Sequence, residues 1–110
     1  MSTSLDQYRR TILNQPALDD IQFKTAWTEY QAGGEAAGRR ITGSCLPIAL
    51  SIAENRSSEF PELSVLELVE EANAGLHEAL MGFSGFSAEK FRAHASETIH
   101  RHLESLATAV

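Results

Sequence analysis

Apolar residues recur at steps of three and four along most of the chain, the spacing that places them on one face of an α-helix. The clearest run begins after Ser64 and ends at Gly82. Ser64 and Glu67 form a capping-box pattern, in which each side chain accepts a hydrogen bond from the other residue's backbone amide. The apolar positions are Val65, Leu68, Val69, Ala72, Leu76, Ala79 and Leu80. This segment is therefore predicted to be an amphipathic helix with one buried face.

A second long stripe indicates a last helix, for which Ser87 is the predicted N-cap. Its apolar members are Phe91, Ala95, Ile99, Leu103 and Leu106. Shorter helices are predicted over residues 4–13, with Ser4 as N-cap, over residues 18–31 and over residues 35–41. A further helix is predicted from Ser44, also as a cap, because Pro47 is tolerated in a first turn.

These elements predict an all-α fold, a bundle of about five helices that forms one domain over residues 1–110. No stretch alternates with period two for long enough to indicate a strand. The chain has 110 residues and is 43% hydrophobic, which suffices for one core. The side chains predicted to meet in that core are Phe23, Trp27, Leu68, Leu76, Phe83, Phe91 and Ile99.

Composition indicates the cellular compartment in which the protein is expected. No apolar run approaches the roughly 20 residues that span a bilayer, and residues 1–6 lack the pattern of a signal peptide. Cys45 is the only cysteine, so no internal disulfide can form and a thiolate zinc cluster is excluded. A cytoplasmic protein without membrane contact is expected.

No catalytic site, metal site or cofactor is predicted. His100 and His102 are two residues apart and point to different sides of a helix, and no third ligand is evident. Cys45 has no defined base beside it, so a buried, unreactive thiol is favoured. The protein is therefore interpreted as a binding protein and not as an enzyme.

Charge favours a basic partner over nucleic acid. The formal net charge is −6, and an acidic chain is repelled by phosphates unless its cations are clustered. Between residues 62 and 80 there are five acids and no Lys or Arg, namely Glu62, Glu67, Glu70, Glu71 and Glu78. Like charges one turn apart destabilise a helix slightly. This pattern leaves two readings open, a solvated helix face and a surface for a basic partner.

Residues 66–76, Leu-Glu-Leu-Val-Glu-Glu-Ala-Asn-Ala-Gly-Leu, resemble the signature of housekeeping-class bacterial sigma factors. The family reads Leu-Asp-Leu-Ile-Gln-Glu-Gly-Asn-Ile-Gly-Leu there. The likeness extends without a gap over roughly residues 18–106. The matching positions in the flanks are Ala32, Gly33, Ala37, Arg40, Leu46, Ser51, Ile52, Ala53, Ala79, Phe83, Lys90, Phe91, Ala95 and Ile99.

The resemblance implies the helical core domain that docks on the coiled coil of the RNA polymerase largest-subunit clamp. The family's contact positions fall on Leu46, Ala49, Glu67, Glu70, Glu71, Asn73 and His77. Glu67, Glu71 and Asn73 keep the family's chemistry, Glu70 replaces a glutamine and adds charge, and His77 replaces a methionine. A largely retained polymerase-docking surface is therefore expected, with Glu67, Glu70, Glu71 and Asn73 in one exposed patch.

The same family also captures unstacked promoter bases on a tyrosine and a tryptophan pair of the last helix. Those positions are His94, Glu97 and Thr98 in this chain. The DNA-binding candidates that remain are Lys90, Arg92, His94 and Arg101. Because the aromatic platform and the preceding basic loop are missing, loss of promoter melting is expected.

Two other functions stay open. The chain is an active promoter-recognition factor, or it is a bundle that binds an unrelated protein or self-associates. The sequence ends at Val110 without a helix-turn-helix domain. It is therefore either a piece of a longer sigma factor or a stand-alone domain.

Overall fold

The computed structural model describes the backbone of residues 3–14 and 16–108 and the side chains of residues 5–14 and 16–107. Within those residues the fold is an all-α bundle without strands, as predicted, with six α-helices where about five were expected. The helices are α1 (Thr3–Leu13), α2 (Asp20–Gln31), α3 (Glu35–Ser44), α4 (Leu46–Asn55), α5 (Val65–Gly82) and α6 (Ala88–Thr108). A short 3-10 turn, Ser57–Glu59, connects α4 to the loop before α5.

The two longest helices begin where the sequence places their caps. The Glu67 amide donates to Ser64 Oγ at 3.1 Å, and the Ser64 amide donates to Glu67 Oε1 at 3.1 Å, which confirms the capping box of α5. The Lys90 amide donates to Ser87 Oγ at 3.3 Å at the start of α6. Helix α2 begins at Asp20, after the predicted residue 18, because Asp19 and Gln22 form a second capping box.

One predicted cap is wrong, and a second lies outside the described side chains. Helix α3 continues to Ser44, and the Ser44 hydroxyl donates to the Ile41 carbonyl at 2.7 Å, so it does not cap α4. Cys45 occupies the junction, and Pro47 lies in the first turn of α4 as expected. Helix α1 begins at Thr3, which places Ser4 inside the helix. The Ser4 side chain lies outside the described residues.

The predicted core is confirmed. Phe23, Trp27, Leu68, Leu76, Phe91 and Ile99 are buried together, and Phe83 is half-buried against them. Phe83 meets the rings of Phe23, Trp27 and Phe91 at centroid distances of 6.1, 5.4 and 5.2 Å, all edge to face. Such pairs add to the stability that the buried area provides.

Helices α5 and α6 form the most extensive helix pair. Glu71 meets His102, and Gly75 faces Ile99, so the two helices run antiparallel. A Cβ on Gly75 would lie 3.1 Å from the Ile99 Cα and 3.1 Å from the His102 Cβ. The glycine therefore permits a backbone approach that a side chain would obstruct.

Arginine side chains connect α1 to α4, and the turn after α4 to α6. Arg9 of α1 donates to both Glu54 carboxylate oxygens, at 3.0 and 2.6 Å, and this salt bridge raises the pKa of Arg9. Arg56 donates to Glu59 and to the His100 carbonyl, the latter at 3.2 Å. The hydrogen bond from Arg56 lowers the pKa of the Glu59 carboxyl. None of the described helices has both the length and the apolar character required to cross a bilayer.

Replacing Gly75 and Gly82 by alanine should have opposite effects on stability. Alanine is favoured over glycine inside a helix by about 1 kcal/mol. At Gly82, where no atom lies within 4 Å of an added Cβ, that preference should raise the free energy of unfolding. At Gly75, separation of α5 from α6 should lower it by about 1–3 kcal/mol, the usual cost of overpacking. Denaturant unfolding of both variants measures the difference, and equal stabilisation at the two positions would contradict the close approach.

Candidate functional site

The outward side of α5 carries a row of carboxylates. Glu67, Glu70 and Glu78 are exposed, and Glu71 is half-buried. These four residues are called the α5 acidic face below. The capping box at one end and the close approach at Gly75 hold the helix in place. The carboxylates are therefore displayed on a rigid element.

The α5 acidic face differs in its partners from five glutamates elsewhere in the chain. Arginines lie within 4.0 Å of Glu29, Glu54, Glu59, Glu97 and Glu104. In the described part of the chain, no Lys or Arg lies within 4.0 Å of the α5 acidic face. Glu67 also repels Glu70 and Glu71, three and four residues along the same helix. The negative charge of this face therefore has no Lys or Arg partner among the described residues, and His102 is the basic side chain that contacts it.

His102 of α6 contacts one edge of this face. Its Nε2 lies 3.0 Å from Glu71 Oε2, and its Nδ1 lies 3.5 Å from Glu78 Oε2. These contacts draw Glu71 and Glu78 toward α6. Glu70 points away from α6 and has no hydrogen bond or ion pair to the described residues.

Asn73 lies one turn from Glu70 but is not exposed together with the glutamates, which corrects the sequence-based expectation of one exposed patch. Asn73 and Glu71 are two residues apart, so they point about 160° apart around the helix. The Asn73 amide donates to the hydroxyl of Tyr8 on α1 at 3.0 Å, while its Oδ1 is buried without a partner among the described residues. Helix α1 therefore covers Asn73 on the side opposite His102.

The remaining predicted docking positions are dispersed. Ala49 is fully buried in α4, so its side chain cannot contact a docked partner in this structure, and that assignment is wrong. Leu46 is half-buried and packs against the core. His77 is exposed on the α3 side of α5, in a hollow that it shares with Tyr30 and Arg39. The structure thus brings together the glutamates and leaves Leu46 and His77 to one side.

Three of the DNA-binding candidates share one face of α6. Lys90, His94 and Arg101 follow one another at helical spacing, and Glu97 lies between them at the same spacing. Glu97 is exposed, and its Oε1 lies 3.6 Å from the Arg101 guanidinium. The ring of His94 packs 5.5 Å from that of Phe83, and this contact leaves the ring only half-exposed. The face therefore has no exposed aromatic ring within α6, and a carboxylate lies in its middle.

Arg92 and Thr98 do not belong to this face. Arg92 points about 160° away from Lys90, and its guanidinium donates to the Leu18 carbonyl at 3.4 Å, so it fastens the segment before α2. Thr98 is 7% exposed, and its hydroxyl donates to the His94 carbonyl at 2.8 Å. A tryptophan at this position would therefore have to enter the core.

Cys45 is a buried thiol, as predicted. It is 2% exposed, and burial raises the pKa of the thiol, which disfavours the reactive thiolate. Among the residues that the structure describes, no group of three or more His, Cys, Asp or Glu side chains is arranged to hold a metal ion.

The sequence pattern did not indicate the contact of Tyr8 with Asn73 or the exposed position of Phe86. Tyr8 is 65 residues from Asn73 in sequence, and no local periodicity links them. Phe86 lies between glycines and serines in a connection, where spacing rules give no direction for a side chain.

Comparison with protein-family models, curated proteins and solved structures finds no match to this chain. The sigma-factor resemblance therefore depends on residues 66–76 and their flanks.

The Tyr8–Asn73 hydrogen bond should contribute measurably to stability. Changing Tyr8→Phe and Asn73→Ala, singly and together, should give a coupling free energy of about 0.5–1.5 kcal/mol in denaturant unfolding, typical of a partly buried hydrogen bond. Tyr30→Phe is the matched control, since no hydrogen bond of the Tyr30 hydroxyl is present among the described residues. It should change stability by less than about 0.5 kcal/mol. Zero coupling between positions 8 and 73 would show that α1 does not cover Asn73 in solution.

Proposed function

We propose that this protein is a sigma-factor-like transcription protein that docks on core RNA polymerase through the α5 acidic face. The observation that supports it most strongly is that four carboxylates follow one another along α5 with no Lys or Arg within 4.0 Å of them in the described part of the chain, whereas five glutamates elsewhere lie beside an arginine. A basic partner would relieve the repulsion along α5 and neutralise its charge.

The form of the surface favours a helical partner. The carboxylates lie along one side of an 18-residue helix and follow one another over several turns. The basic coiled coil of the polymerase clamp, which the family resemblance names, is a partner of this shape and charge. Because α5 is capped and packed closely on α6, little ordering of the backbone is needed on binding.

The α6 face supports docking without promoter melting. Melting requires an aromatic platform and positive charge around the captured base. Here His94 is held against Phe83, Glu97 lies between Lys90 and Arg101, and Thr98 is buried. The protein would therefore occupy the polymerase surface of a sigma factor without opening DNA.

Reversing the charge of Glu70 should weaken docking. Glu70→Lys changes an exposed side chain that makes no bond to the described residues, so the fold should be retained. Its affinity for a purified clamp coiled-coil fragment should fall about tenfold or more, and the wild-type affinity should fall with added salt because exposed charge pairs are screened. Surface plasmon resonance at several salt concentrations measures both effects.

Glu89→Lys is the control for this experiment. It makes the same charge change at the start of α6, beside the end of α5 and away from Glu70. If both substitutions weaken binding equally, the loss arises from the change in net charge and not from the α5 acidic face. Wild-type protein that binds no polymerase subunit would refute the proposal and leave a bundle with another basic partner.

The protein should fail to open promoter DNA. A permanganate footprint on double-stranded promoter DNA, with core polymerase and without it, should show no reactive thymines. A functional housekeeping sigma factor in the same assay is the positive control. Polymerase-dependent thymine reactivity with this protein would favour an active promoter-recognition factor. Glu97→Trp, which alters only an exposed position, should increase single-strand binding if the lost aromatic ring limits capture.

A further inference from the structure

A shallow groove of about 630 Å³ lies where α2 and α6 begin, at the end of α6 farthest from His102. Ile21 and Phe86 form its apolar part, and Lys24 and Lys90 border it. Ile21 is 79% exposed and Phe86 58%, although most large apolar side chains of the chain are buried. The groove thus combines exposed apolar surface with positive charge on a chain whose net charge is −6.

The loop that displays Phe86 is built to hold it outward. Phe83 anchors the start of the loop in the aromatic cluster, and Gly85 turns the chain with φ +147°, which a side chain would strain. Ser87 caps α6 at the far end. The backbone conformation of this loop therefore holds Phe86 in its exposed position.

Both lysines of the chain border this groove, and neither has a carboxylate within 4.0 Å among the described residues. Lys24 Nζ lies over the Phe86 ring, 5.9 Å from its centroid. Asp20 also lines the groove, and its carboxylate accepts the Ala88 amide at 2.9 Å and thereby caps α6. Two lysines are thus available to external carboxylates on either side of an apolar surface.

We propose that this groove binds an acidic segment of a partner protein, in which an apolar side chain contacts Ile21 and Phe86 and flanking carboxylates pair with Lys24 and Lys90. Lysine suits such a contact, since it is a flexible point charge that does not require a fixed geometry. The groove is separate from the α5 acidic face and takes a partner of the opposite charge. Binding of the acidic segment in this groove does not depend on polymerase docking.

A nucleic-acid strand fits the same groove less well. Phosphate binding depends on several clustered cations, and this groove has two. One face of the Phe86 ring is already covered by Lys24, which reduces the surface on which a base could stack. A single-stranded oligonucleotide is therefore the competing ligand in the test.

The proposal can be tested with the full chain and a short synthetic peptide in which leucines are flanked by glutamates. Amide spectra of the isotope-labelled protein should shift at Ile21, Lys24, Gly85, Phe86 and Lys90. A peptide with lysines in place of the glutamates, one with serines in place of the leucines, and oligothymidine should leave these signals unchanged. Fluorescence anisotropy of the labelled peptide gives the affinity.

Two variants separate the contributions of charge and apolar contact. Lys24→Glu and Phe86→Ser should each weaken peptide binding about tenfold or more, as expected for residues at the centre of a small interface. Arg39→Glu and Met81→Ser make the same kinds of change at exposed positions elsewhere and should leave the affinity unaltered. All four positions are exposed, and circular dichroism confirms that each variant is folded.

Several outcomes would overturn the proposal. They are unchanged groove signals with the acidic leucine peptide, equal binding of the serine peptide, and preferential binding of oligothymidine. Groove signals that shift with protein concentration alone would identify a second copy of the chain as the occupant. Loss of polymerase binding in the separate docking experiment would not affect this result, so the two proposals fail independently.

Discussion

The backbones of α5 and α6 approach each other closely at Gly75. The orientation of the α5 acidic face and of the exposed face of α6 depends on this contact. Ile99 and His102 lie directly opposite the glycine, so a rotation of α5 that brought a side chain to this point would crowd α6. The buried arc of α5 is thereby set by Leu68, Ala72, Leu76 and Ala79, and the glutamates must lie on the remaining side. A glycine inside a helix makes the helix about 1 kcal/mol less stable than an alanine would. The close packing of α5 on α6 that this glycine permits holds the acidic face in a fixed position.

The two faces of the helix pair differ in chemistry. On α5, the charges are alike and have no Lys or Arg within 4.0 Å among the described residues, a state that costs stability and that a basic partner would relieve. On α6, Glu97 and Arg101 pair with each other, and His94 packs against Phe83. A surface whose charges and rings are already engaged within the protein offers little to a ligand. The physical contrast between the two faces favours partner docking over base capture.

Local sequence patterns were sufficient to predict the helices, the capping box of α5 and the buried faces that form the core, because these features depend on residues within about one turn of each other. They misplaced the cap of α4, because the Ser44 hydroxyl can bond either forward to an amide or back to the Ile41 carbonyl, and the buried α3–α4 junction decides which. For the site, the spacing predicted the exposed glutamates. It did not reveal that Tyr8 covers Asn73 or that Ala49 is fully buried, since those facts arise from the packing of distant helices.

Arginine and lysine differ in their partners, which the formal net charge does not show. Arg9, Arg40, Arg56 and Arg101 pair with glutamates, and a planar guanidinium can meet both oxygens of a carboxylate, as Arg9 does with Glu54 and Arg56 with Glu59. Lys24 and Lys90 pair with no carboxylate among the described residues and flank an exposed apolar groove. The α5 acidic face likewise has no Lys or Arg within 4.0 Å among the described residues. The two proposals together describe a protein that bridges a basic partner at α5 and an acidic one at the groove.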